Sequence, residues 1–118
     1  MNDKFSRDLM RGSLDLMVLS VLADGPLYGY LIQKRVRDAG NGWARLEAGT
    51  LYPLLHRLEA DKVIRSKWDR ESGRPRKWYE LTAAGRRRLQ AQARDWNRYA
   101  ECIGRLIEPL LDSAPEPA

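Results

Sequence analysis

Apolar residues recur along this chain at helical spacing, in stretches separated by breaks rich in glycine and proline. The densest stretch is LDLMVLSVLA, Leu14 to Ala23, interrupted only by Asp15 and Ser20. With the residues just before it, this stretch predicts a first helix over about residues 9–23, apolar enough to lie centrally in a core. Asp24-Gly25-Pro26 stops that helix, because glycine and proline in succession favour a turn. A second helix is expected over about residues 27–38, with Leu27, Tyr30, Leu31 and Val36 inward and Gln33, Lys34, Arg35 and Arg37 outward. Gly40-Asn41-Gly42 then breaks the chain again.

The third stretch, GTLYPLLHRLE, carries Leu51, Leu54, Leu55 and Leu58 at i, i+3, i+4 and i+7, the stripe of one buried helical face. Turned at about 100° per residue, Gly49, Pro53, His56 and Ala60 lie opposite that stripe, with Tyr52 and Arg57 on its flanks. Pro53 is tolerated if it falls in the first turns, where backbone donors lack partners anyway. If the helix begins near Glu47, Pro53 removes one internal hydrogen bond instead. Gly49 would let another backbone come close, Thr50 and Tyr52 offer hydroxyls to phosphates or base edges, and Pro53 offers apolar contact. On pattern alone, this face is equally well an ordinary helix start.

Two β-prone runs follow, VIRSKW and RKWYELT, joined by the turn-forming DRESGRP, which together read as a hairpin with a long loop. Thr82 is placed to cap a fourth helix, and no breaker occurs before Pro109, where the helix is expected to end or kink. Leu89, Ala93, Trp96, Ala100, Ile103, Ile107 and Leu110 form a heptad seam on it. From Thr82 to Glu108 this helix would be about 40 Å long, more than so small a domain can cover, so its far half calls for a second copy of the chain. The expected architecture is mainly α with a small β-hairpin: a winged helix-turn-helix over residues 1–82, a dimerisation helix over 83–111 and a disordered tail over 112–118.

Composition narrows the function. The net charge of +5 and a pI near 9.7 suggest an anionic partner, nucleic acid before a membrane surface. Between Arg65 and Lys77 stand six cations (Arg65, Lys67, Arg70, Arg74, Arg76, Lys77) against two acids, so the charge is concentrated on the hairpin. A charge run by itself is usually a solvated face. Beside a helix with an outward Gly-Thr-x-Tyr-Pro, it favours double-stranded DNA. No stretch approaches the roughly 20 apolar residues of a membrane span. One cysteine permits no internal disulfide, which suits a reducing cytoplasm.

An enzyme is the rival from another class, but the chain has no phosphate loop, nucleophile motif or metal-ligand cluster, and no cofactor is expected. His56 is the only histidine, so it makes no metal site within one chain; DNA contact and plain exposure are its two readings. Cys102 is expected to pack in an interior, with a redox sensor the lesser reading. A winged helix used for protein contact, without sequence-specific DNA binding, is the second rival.

RGSLDLMVLSVLADGPLYGYLI, GTLYPLLHRLE and SGRPRKWYELTAAG together resemble the PadR-like family of bacterial transcription regulators, in its short form with a single carboxy-terminal helix. The resemblance is strong over about residues 9–85. It implies a homodimeric winged-helix repressor or other regulator that binds an inverted-repeat operator. On this chain it maps DNA contacts to Gly49, Thr50, Tyr52, Pro53, His56 and Arg57 of the reading helix and to Gly73, Arg74, Pro75, Arg76 and Lys77 of the wing, with Tyr28 and Gly29 opening the preceding helix. Glu47 departs from the usual serine cap, and Trp78 from a common tyrosine. Some proteins of this short kind bind flat hydrophobic compounds between subunits, which puts Trp96 at an effector pocket; the alternative for Trp96 is simple packing on the seam.

Overall fold

The computed structural model describes residues 13–71 and 73–112. The start of the predicted first helix before Ser13, the amino-terminal arm and the predicted tail over 112–118, except Asp112, lie outside them; Asp112 ends the long helix instead of opening the tail. The elements in chain order are α1 (Leu14–Val21), β1 (Leu27–Tyr28), α2 (Gly29–Ala39), α3 (Ala48–Ala60), β2 (Ile64–Asp69), β3 (Arg76–Leu81) and α4 (Ala83–Asp112).

Leucine and β-branched residues at helical and alternating spacing meet in one core. Val18, Leu19 and Leu22 from α1 and its end, Ile32 and Val36 from α2, and all four leucines of α3 are buried together. Ile64, Tyr79 and Leu81 close this core from the sheet. The expected stripe of α3 is the observed one, because its period is unbroken from Leu51 to Leu58.

The sheet has an extra strand. Its order is β1-β3-β2, all antiparallel, with Tyr28 opposite Trp78 and Lys67 also opposite Trp78 from the other side. Leu27 and Tyr28 therefore do not open the second helix. They are extended, and the helix starts at Gly29. The shift turns the inward stripe onto Gly29, Ile32 and Val36, and Tyr30, expected inward, is exposed. Ladder bonds to β3 fix this conformation, and a two-residue strand carries too little alternation to announce itself.

One residue fixes the junction of sheet and long helix. The Thr82 hydroxyl accepts a hydrogen bond from the Gly85 amide at 3.0 Å and donates to the Lys62 carbonyl at 2.7 Å, while the Thr82 amide donates to the Val63 carbonyl at 3.1 Å. Thr82 is thus the expected cap, and it also ties α4 to the turn before β2. Gly85 lies so close that an added Cβ would overlap the Val63 carbonyl oxygen. From there α4 runs 30 residues, continuing through Pro109 to Asp112 instead of ending there.

Among the described residues, α4 joins the core through its first part. Leu89 packs partly against the core, whereas Trp96, Tyr99, Leu106, Ile107, Leu110 and Leu111 are exposed large apolar side chains. Cys102, expected in an interior, is exposed on this helix.

Candidate nucleic-acid interface

The outward face of α3 is open, as its spacing predicted. Gly49, Thr50, Tyr52, Pro53, His56 and Arg57 are all exposed. The helix starts at Ala48 with Glu47 as its N-cap, and the Glu47 side chain makes no capping bond. Pro53 therefore lies past the first turn and removes one internal hydrogen bond, the second of the two possibilities its position allowed. Among the described residues, an added Cβ at Gly49 would meet nothing within 4 Å beyond its own helix backbone. The chain's own packing gives no reason for glycine there, so the open space faces outward.

Two of these residues are committed to the scaffold. The Tyr52 ring lies over Gly29, so closely that a Cβ on Gly29 would overlap the phenol oxygen. Gly29 itself is buried, and its missing side chain makes room for Tyr52 to brace α3 against the start of α2. Arg57 makes a bidentate pair with Asp15 of α1, at 2.6 and 3.1 Å. That hydrogen bond first, and the Asp15 charge second, hold the guanidinium proton more tightly than usual. Sequence spacing gave no sign of this pair, because its partners lie 42 residues apart.

The hairpin is a row of cations set among rings. Arg76 lies 4.6 Å over the Tyr28 ring, and Tyr28 meets Trp78 edge-on with centroids 5.0 Å apart. Trp78 thus packs where the family more often has tyrosine. Lys77 Nζ stands 5.8 Å from the Tyr79 ring, and Arg70 lies 5.5 Å over Trp68. Such contacts orient the cations without neutralising them. Arg65 instead pairs with Glu80 at 2.6 Å. At the tip, Gly73 has φ +78°, a left-handed turn suited to glycine. Arg74 and Pro75 beside it are exposed, and Arg74 has no ion-pair partner among the described residues.

Two successive helices, the second with its outward face exposed beside a cationic hairpin, are the geometry of a winged helix that reads duplex DNA. The sequence profile of the transcriptional regulator PadR-like family matches residues 18–91. The chain belongs to that family. The PadR-like chain is 36% identical over 88 residues to a transcriptional regulator of Mycobacterium tuberculosis, covering 75% of this chain and 79% of that one. Among solved structures, it superposes on a PadR family transcriptional regulator from Eggerthella lenta with a TM-score of 0.77 and 38% identity, over 89% of this chain and 90% of the other. A transcriptional regulator from Clostridium thermocellum is similar at a TM-score of 0.78 and 29% identity, over 85% and 98% of the two chains. The protein is thus a DNA-binding transcriptional regulator of the PadR-like family. Among the described residues, no helix is long and apolar enough to cross a membrane.

Proposed function

We propose that the chain acts in the cytoplasm as a homodimeric repressor, without catalytic activity, on an inverted-repeat operator. The observation that carries this reading is the open face of α3 at Gly49, where no other described residue occupies the space that a side chain would fill. Gly49, Thr50, Pro53 and His56 read base edges in the major groove; Tyr52 and Gly29 hold the reading helix to α2, and Arg57 holds it to α1. Tyr28, Arg76 and Lys77 shape the wing, and Arg74 meets phosphate. Half-sites lie about 10 bp apart, or a multiple of that, on one face of the duplex.

Substitutions separate these roles. His56→Ala and Thr50→Ala should each narrow the gap between operator and random DNA, by about 1–3 kcal/mol per lost base contact. Arg74→Ala should weaken binding to every sequence alike and lower the salt slope by up to about two ions per dimer. Fluorescence anisotropy against the DNA upstream of the gene and a scrambled duplex, over a salt series, measures both. Uniform loss from all three variants would defeat the assignment of the reading face, and indifference to sequence in the parent chain would favour the protein-contact module.

A second reading concerns release from DNA. Trp96 and Tyr99 stand with centroids 6.0 Å apart beside a hollow of about 240 Å³ that Ser13, Leu16, Gln92 and Asp95 also line. An aromatic wall supports a place for a planar, mostly apolar effector. Planar aromatic compounds should quench tryptophan emission in the parent chain and much less in Trp96→Phe, while weakening operator binding. Equal quenching in Trp96→Phe, or unchanged operator affinity, would remove this reading.

A further inference from the structure

Trp68 is a large apolar side chain that the domain leaves exposed. On β2, side chains alternate between the two faces of the sheet. Ile64 is buried in the core, and the Ser66 hydroxyl donates to Glu59 of α3, so this face of β2 rests on the reading helix. Trp68 is the next position outward on that same face, opposite Lys77, and it is 51% exposed. It therefore extends the α3-facing surface past the place where α3 covers it, into the angle between reading helix and wing. Four residues of strand put it about 13 Å beyond Ile64, away from the junction with α4.

Its surroundings are cationic. Arg70 lies over the ring, and Lys77 faces it across the ladder. Lys67 and Arg70 are exposed and make no ion pair among the described residues. An exposed indole with the Arg70 guanidinium over its ring and the Lys77 ammonium across the ladder matches a surface that is apolar and anionic by turns. The deoxyribose-phosphate chain of a duplex has that alternation.

We infer that Trp68 packs against a deoxyribose of the DNA backbone while Arg70, steered by the same ring, neutralises the adjoining phosphate. This rests on the reading of the chain as a duplex-DNA binder and adds a second wing contact, independent of Arg74 at the tip. The contact is blind to sequence, so it forms on operator and scrambled DNA alike. Trp68→Ala should weaken both by about tenfold, the equivalent of uncovering about 55 Å² of apolar surface. Arg70→Ala should lower the salt slope by about one ion per wing, which Trp68→Ala should not.

The deciding experiment labels the full chain with 5-fluorotryptophan. Its four fluorine resonances (Trp43, Trp68, Trp78 and Trp96) are assigned by single Trp→Phe variants. A duplex about 30 bp long, long enough for two half-sites, is then titrated at low salt while anisotropy follows binding. The Trp68 resonance should shift, saturating at the same duplex concentration as the anisotropy. Duplex binding that leaves the Trp68 resonance in place would overturn the contact and leave the DNA-binding reading intact. Absence of any duplex binding would overturn both.

Discussion

Gly85→Ala should destabilise the protein by about 3 kcal/mol, because its new methyl group would overlap a backbone atom that has little freedom to move. The Val63 carbonyl accepts the Thr82 amide, and the Thr82 hydroxyl in turn caps α4 and holds the Lys62 carbonyl. Relief of the overlap must therefore stretch the cap, the turn before β2, or both. In a domain of this size, that corresponds to a fall in Tm of about 12–24 °C. Gly49→Ala is the matched control, since the same methyl group there meets nothing. It should hold or raise stability, by up to about 1 kcal/mol from helix propensity, and weaken DNA binding. Calorimetry of the two variants checks the contrast. A Gly85→Ala protein as stable as its parent would mean that the junction relaxes at no cost.

The second large effect concerns the far half of α4. Ile107 and Leu110 are 37% and 72% exposed, and neither belongs to the core, so Ile107→Glu with Leu110→Glu should leave the domain folded. Facing a second copy of the helix, however, four like charges would be brought together in an apolar seam. The variant should sediment as a monomer with unchanged near-native Tm for its domain. Operator affinity should fall by about 10²–10⁴-fold, because the two half-sites no longer act as one ligand. A variant that remains dimeric in sedimentation equilibrium would show that the subunits meet elsewhere.

Features confined to one helical period were legible in the sequence. The four leucines of α3 share one face, Thr82 stands three residues before the amide it caps, and both follow from local geometry. Features that depend on a distant partner were not. Leu27 and Tyr28 are a strand only because β3 lies beside them, and Arg57 turns to α1 only because Asp15 is there. The glycines make the same point. Gly29 gives way to a tyrosine ring, Gly85 to a carbonyl and Gly49 to empty space, and one letter in the sequence stands for all three. The cationic hairpin was visible as composition, but the stacking of Arg76 on Tyr28 and of Arg70 on Trp68 needed the register of the strands.

The firm fixing of α4 at one end makes it a lever. Thirty residues at about 1.5 Å each give a rod about 45 Å long, anchored at Thr82 and Gly85, with large apolar side chains exposed along its distal half. A tilt of about 5° between rod and domain displaces the far end by about 4 Å. When two such rods are joined at their far ends, the same small angle appears as movement of the reading helices, and about 3.4 Å is one base-pair step of duplex. A change too slight to disturb any buried side chain of the domain is then enough to put the two reading helices one base pair out of step with their operator.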